Sequence, residues 1–175
     1  MKIKNLVLSG LFIAVGILLP MAFHSIDAGK IFLPMHIAIL LAGCFLPIEY
    51  AIFVAIAVPL ASYLLTGMPL LFPNLCFIMP ELIVYAVVIN LLYNAFNWNI
   101  NFALIGAMLV GRVASGLAVW FLIGVLSVNL PSPITFVFGS ITAGIPGIAI
   151  QLLIIPAIVV ALEKLKTRTK KRARA

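Results

Sequence analysis

The chain has 175 residues, of which 65% are hydrophobic and 9% charged, with a mean hydropathy of +1.31 and a net charge of +7. No water-facing surface can be built from that composition, which excludes a soluble domain and marks an integral membrane protein. A hydrocarbon core of about 30 Å takes roughly 20 residues per helix, so the length holds about six spans in one membrane domain and no separate soluble unit.

Lys2 and Lys4 precede the first apolar segment, 5–23. Its basic start is signal-peptide-like, but no small-x-small site follows, and it is expected to stay as a helix. Within "SGLFIAVG" (9–16), Gly10 and Ala14 lie four apart on one face, with Ser9 and Gly16 close by. Small side chains at that spacing let another helix approach closely. The separator "HSIDAGK" carries Asp27 and Lys30 and leads into the second segment, 33–47, where His36 stands alone in apolar sequence. The second and third segments (33–47 and 50–66) are near the short end for a crossing, and a helical hairpin pivoting at Pro47 is the alternative.

After "TGMPLLFP", the fourth segment (73–94) opens with "PNLCFIMPELIVY", which places Asn74, Glu81 and Tyr85 near one helical face. The fifth segment, 101–126, contains Arg112, and the sixth, 134–162, contains Gln151, whose amide calls for an interhelical hydrogen bond. Stripes of small residues, Gly111, Ser115 and Gly116 or Gly139, Ala143 and Gly147, are expected to serve internal packing. The separators are rich in Pro, Gly, Asn and Ser, as turns are. Cys44 and Cys76 lack CxxC or His spacing and read as small buried hydrophobes, not metal ligands.

Basic residues set the expected orientation. They cluster before the first segment and in "KLKTRTKKRAR" (164–174), while the loops between hold only Lys30. The positive-inside rule then puts both termini in the cytoplasm, which needs an even number of spans. The division expected is a six-helix membrane domain, 1–163, and a basic cytoplasmic tail, 164–175, which attracts anionic lipid and enforces topology rather than binding nucleic acid. "HSIDAGKIFLP", "TGMPLLFPN" and "SVNLPSP" fall outside, and "PIEY" and "NAFNWNIN" inside.

Ionisable groups within a span are costly and call for a reason. Glu81 lies about eight residues, ~12 Å, from the outer end of its segment, and Arg112 about eleven residues, ~16 Å, from the inner end of its own. Those depths nearly coincide in a ~30 Å core, so the two can meet and offset each other's desolvation. Two readings stay open: an ion pair that only fixes helix packing, or groups in a polar cavity that hydrogen-bond a solute. His36 has the same two readings, a satisfied structural histidine or part of a site beside the loop with Asp27 and Lys30. No GxxxxGK[ST], HExxH or GxSxG occurs, so the chain binds or conducts something rather than transforming it, with no cofactor or metal implied.

The stretches "FLPMHIAILLAGCFLPIEYAIFVAIAVPLASYLLTGMPLLFP" (32–73), "GRVASGL" (111–117) and "GIPGIAIQLLIIPAIVVALEKL" (144–165) resemble the substrate-binding (S) components of energy-coupling factor (ECF) vitamin transporters. The resemblance covers nearly the whole chain and implies a six-helix bundle in a bacterial cell membrane. It implies a solute pocket near the outer face, under the first external loop, with Lys30 and His36 as lid and rim and Asn74, Glu81, Tyr85 and Arg112 along wall or floor. It also implies that Gly10 and Ala14 match an AxxxA-like motif that docks a transmembrane coupling subunit, itself driven by two ATPases; glycine replaces the first alanine. A cavity with Lys30, Arg112 and His36 suits a carboxylate-bearing vitamin, pantothenate by preference, with niacin, pyridoxine, cobalamin or a pyrimidine precursor open. The rival readings are a self-sufficient channel or secondary carrier, which needs a polar path or an inverted repeat not evident here, and an assembly factor that binds no solute.

Overall fold

The computed structural model describes residues 2–24 and 32–172, with side chains described for 2–22 and 32–165. Among these residues the chain forms six helices: α1 (Lys2–His24), α2 (Pro34–Phe45), α3 (Ile48–Thr66), α4 (Cys76–Ile89), α5 (Ile100–Leu126) and α6 (Pro133–Arg172). Five crossings have the length and hydropathy for a membrane: α1, α3, the stretch Leu71–Ala95 that contains α4, α5 and α6. The expected second span is different. Its twelve residues make α2 only about 18 Å long, well short of a ~30 Å core.

Proline and backbone geometry set the limits of α2. Pro34 stands at its first turn, where a missing N–H costs nothing, after Leu33 in the left-handed region (φ 48°, ψ 49°). Pro47 disfavours helical geometry at the residue before it, and Leu46 is extended (φ −103°, ψ 153°). The chain turns there directly into α3, so α2 and α3 form the hairpin about Pro47. Helix α3 stops at Gly67, whose positive φ of 73° suits a residue without Cβ. The turn after it is pinned from α3: Ser62 Oγ donates to the Met68 carbonyl (2.9 Å) and Thr66 Oγ1 to that of Ser62 (2.7 Å).

Leu71–Leu75 forms a widened turn, with Phe72 extended, that leads into α4, and Asn90–Ala95 widens again at its far end. Asn99 caps α5 by accepting from the Asn101 N–H (3.0 Å). Helix α6 runs past the expected end at 162 and carries the basic segment to Arg172 as helix.

Helix α2 is the buried centre. Ala38, Ile39, Leu40 and Ala42 have no exposed surface, and α1, α3, α4 and α6 all pack against them. Gly43 lies so close to Ile89 and Ala86 of α4 that a Cβ would overlap them. The outer helices instead present leucine, isoleucine, valine and phenylalanine outward, as side chains facing lipid do. Of the expected packing stripes, Gly111 faces the Tyr85 ring and Gly116 faces Val137, whereas Gly139 and Ala143 are exposed. Cys44 is buried as expected; Cys76 is exposed, because it lies on the outward side of the turn that opens α4.

Candidate solute-binding site

Both ends of α2 are held by amide side chains. At its C-terminal end Asn90 Nδ2 donates to the carbonyls of Gly43 and Leu46, both at 2.8 Å, and Asn94 Nδ2 to that of Gly43 at 3.1 Å. These are carbonyls that the helix itself leaves unbonded. At the other end Gln151 Nε2 of α6 donates to the Leu33 carbonyl at 3.4 Å. That is the interhelical bond its place in the sequence called for. A helix shorter than the ~30 Å core is thereby fixed lengthwise between two long ones.

The first turn of α2 carries His36, 8% exposed, into a cluster of ionisable residues. Its Nε2 lies 3.6 Å from Glu81 Oε1 of α4, and Arg112 Nη1 of α5 lies 2.9 Å from the same oxygen. The expected meeting of Glu81 and Arg112 within the bundle therefore occurs, and His36 joins it. Glu81 and Arg112 are 3% and 8% exposed, so the pair is removed from water, and each charge depends on the other. Neither contact to Oε1 has hydrogen-bond alignment, and His36 Nδ1 has no hydrogen-bond partner either. Tyr85 closes the cluster, its ring edge-on to the imidazole with centroids 5.3 Å apart. Two glycines make room: a Cβ at Gly111 would overlap the Tyr85 ring, and one at Gly144 would press on Leu33 at 3.0 Å.

Above this cluster, where α1 and α3 finish and α2 begins, is a cavity of about 220 Å³. His36, Ser62 and Asn74 supply its polar side chains; Pro20, Leu33, Pro34, Met35, Met68, Pro69 and Ile78 complete it. Of the residues expected to bind solute, His36 and Asn74 line this space. Glu81, Tyr85 and Arg112 lie behind it and reach it through His36. Lys30 lies outside the described residues. Ser62 was not anticipated; its only signal was a hydroxyl one turn before "TGMP", which reads equally as a helix-end residue. A larger groove of about 480 Å³ between α5 and α6 is lined by Val113, Trp120, Ile134, Phe138 and similar side chains. Apart from the Trp120 indole N–H it offers no polar side-chain group to recognise a water-soluble molecule, so the smaller cavity is the candidate site.

Gly10 and Ala14 are not among the cavity's lining residues; they lie on the exposed side of α1, and a Cβ at Gly10 would meet nothing within 4 Å. Ser9 and Gly16 face the opposite way: Ser9 is fully buried, and a Cβ at Gly16 would touch Val58 and Ala38. The small residues of α1 thus divide between an inner packing face and an outer free one.

A family model described as "ECF transporter, substrate-specific component" matches residues 4–159, most of the chain. The chain belongs to that family. The S component is accordingly a multi-pass membrane protein of solute transport and not an enzyme, a subunit that binds a small molecule and works with the other subunits of an ECF transporter. No curated protein and no solved structure matches this S component.

Proposed function

We propose that this S component captures a small water-soluble vitamin or related metabolite, pantothenate by preference, at the outer face of a bacterial cell membrane and delivers it inward as part of an ATP-driven importer. The observation that carries the reading is that one side chain, His36, belongs both to the wall of a cavity with three polar side chains and to the buried Glu81–Arg112 cluster. A packing pair alone needs no cavity beside it. In this reading Asn74 and His36 touch the solute, Lys30 stands at the rim, and Glu81, Tyr85 and Arg112 form the floor that holds the imidazole in place.

The cavity end faces outward and both termini face the cytoplasm, in keeping with the cations at 2, 4 and 164–174; α2, though short, then carries the chain back between α1 and α3 and keeps the number of passes even. The basic tail then meets anionic lipid on the inner leaflet. With no phosphate-binding loop in the sequence, hydrolysis of ATP falls to two partner ATPases, reached through a transmembrane coupling subunit. The exposed Gly10 and Ala14 offer that subunit a surface on which helix backbones approach closely.

The test is the thermal stability of the purified protein in detergent against a panel of B vitamins and precursors. A ligand that binds only the folded state stabilises it by about 2.7 kcal/mol at a hundred times its Kd. One compound is expected to raise Tm in proportion to the logarithm of its concentration; a panel without effect contradicts the reading. Docking is tested separately: Gly10→Trp is expected to leave solute binding intact and to stop uptake in cells that hold the coupling subunits. Uptake at the normal rate removes the role given to α1.

A further inference from the structure

We infer that His36 meets the captured molecule as a hydrogen-bond acceptor, so that the solute carries a hydroxyl or amide N–H donor and enters the cavity with that donor foremost. The inference rests on the capture reading above and names the chemistry of its ligand. His36 is more than nine-tenths buried and lines the cavity, yet its Nδ1 has no hydrogen-bond partner. A buried polar atom left in that state is costly, and a solute that supplies the partner removes the cost.

The neighbours determine which partner fits. A carboxylate only accepts, so its charge, 3.6 Å from Nε2 though without hydrogen-bond alignment, favours the tautomer with the hydrogen on Nε2. In a neutral ring this leaves a lone pair on Nδ1. Arg112 already balances Glu81 at 2.9 Å, so with a neutral ring the buried cluster carries no net charge.

The rest of the wall leans the same way. Ser62 Oγ donates its one hydrogen to the Met68 carbonyl, so toward the cavity it can only accept. Asn74 can do either. Among the described residues that line the cavity there is no lysine or arginine. At about 220 Å³ the space is small for a ligand site, which keeps the solute's leading group close to His36.

Three probes separate the chemistries on the full chain in detergent, by thermal shift and titration calorimetry. Pantothenate carries hydroxyls, an amide N–H and a carboxylate; pyridoxine carries hydroxyls and no carboxylate; nicotinate carries a carboxylate and no such donor. Pantothenate or pyridoxine is expected to raise Tm, and capping its hydroxyls as methyl ethers to weaken binding by about tenfold or more. His36→Leu is expected to weaken the parent compound and leave its ether little changed, bringing the two within about threefold. His36→Gln, which keeps a carbonyl acceptor, retains part of the preference. Should His36→Leu fail to fold, the parent and ether pair on the unaltered protein still decides. Preference for nicotinate, or equal affinity for parent and ether, overturns the acceptor inference and leaves the capture reading standing. If no compound of the wider B-vitamin panel stabilises the protein, the capture reading falls and the inference falls with it.

Discussion

The two polar clusters that flank α2 are built on opposite principles. At its C-terminal end Asn90 and Asn94 are neutral, and their amides meet backbone carbonyls at 2.8–3.1 Å. At its N-terminal end His36, Glu81 and Arg112 bring formal charge into the bundle, and two of their atoms, Glu81 Oε1 and His36 Nδ1, go without a hydrogen bond. Neutral amides on backbone carbonyls close a helix end and leave nothing over. A charged cluster with spare valence beside a cavity is an expensive way to pack helices, and its cost is understandable if the spare valence meets a solute. In the proposed reading the first cluster is structural, and the second is placed for binding.

The sharpest way to break this contrast is Arg112→Met, which leaves the Glu81 carboxylate buried without its counter-charge. The expected loss is about 3–5 kcal/mol of stability, seen as a large fall in Tm. The double variant Glu81→Gln, Arg112→Met is expected to recover most of that stability while binding of the solute stays lost, because His36 no longer has its anchor. Recovery of binding along with stability would make the pair structural, like the amide cluster.

At the other end Asn90→Leu takes the side-chain donor from the Leu46 carbonyl and leaves that of Gly43 with Asn94 alone. The expected loss is about 1–3 kcal/mol, with solute affinity unchanged once the protein is folded. A tenfold loss of affinity in a folded variant would show that the two ends are not separable.

Gly111→Ala probes the wall between them. Its Cβ meets the Tyr85 ring, so overpacking of about 1–3 kcal/mol is expected, and with it weaker binding as the ring presses on His36. Unchanged affinity would detach Tyr85 from the site. The smallest effect belongs to Tyr93→Phe, which removes a hydrogen bond to Glu163 (2.5 Å) at the exposed end of α4 and α6. A loss of no more than about 1 kcal/mol is expected, with binding unaltered.

Much of the site was legible before folding, for a definite reason. An ionisable side chain in an apolar segment has so few tolerable positions that Glu81, Arg112 and His36 announce themselves, and equal depth in neighbouring helices brings the first two together. Gln151 was legible on the same ground. Ser62 and Asn90 were not: a hydroxyl or an amide near a helix end is ordinary in any membrane protein, and only its partner shows what it does.

Composition and residue order alone determined the class, most of the helical segments and the matching depths that let Glu81 and Arg112 meet, because lipid tolerates few alternatives for backbone and charge. The tertiary structure decided the rest. It made the second segment a short buried helix held at both ends, turned Gly10 and Ala14 outward and Ser9 and Gly16 inward, and put His36 rather than Glu81 or Arg112 on the cavity wall. Depth along a helix follows from counting residues, but which neighbour a side chain faces depends on how the helices are rotated and packed, and only long-range contacts set that.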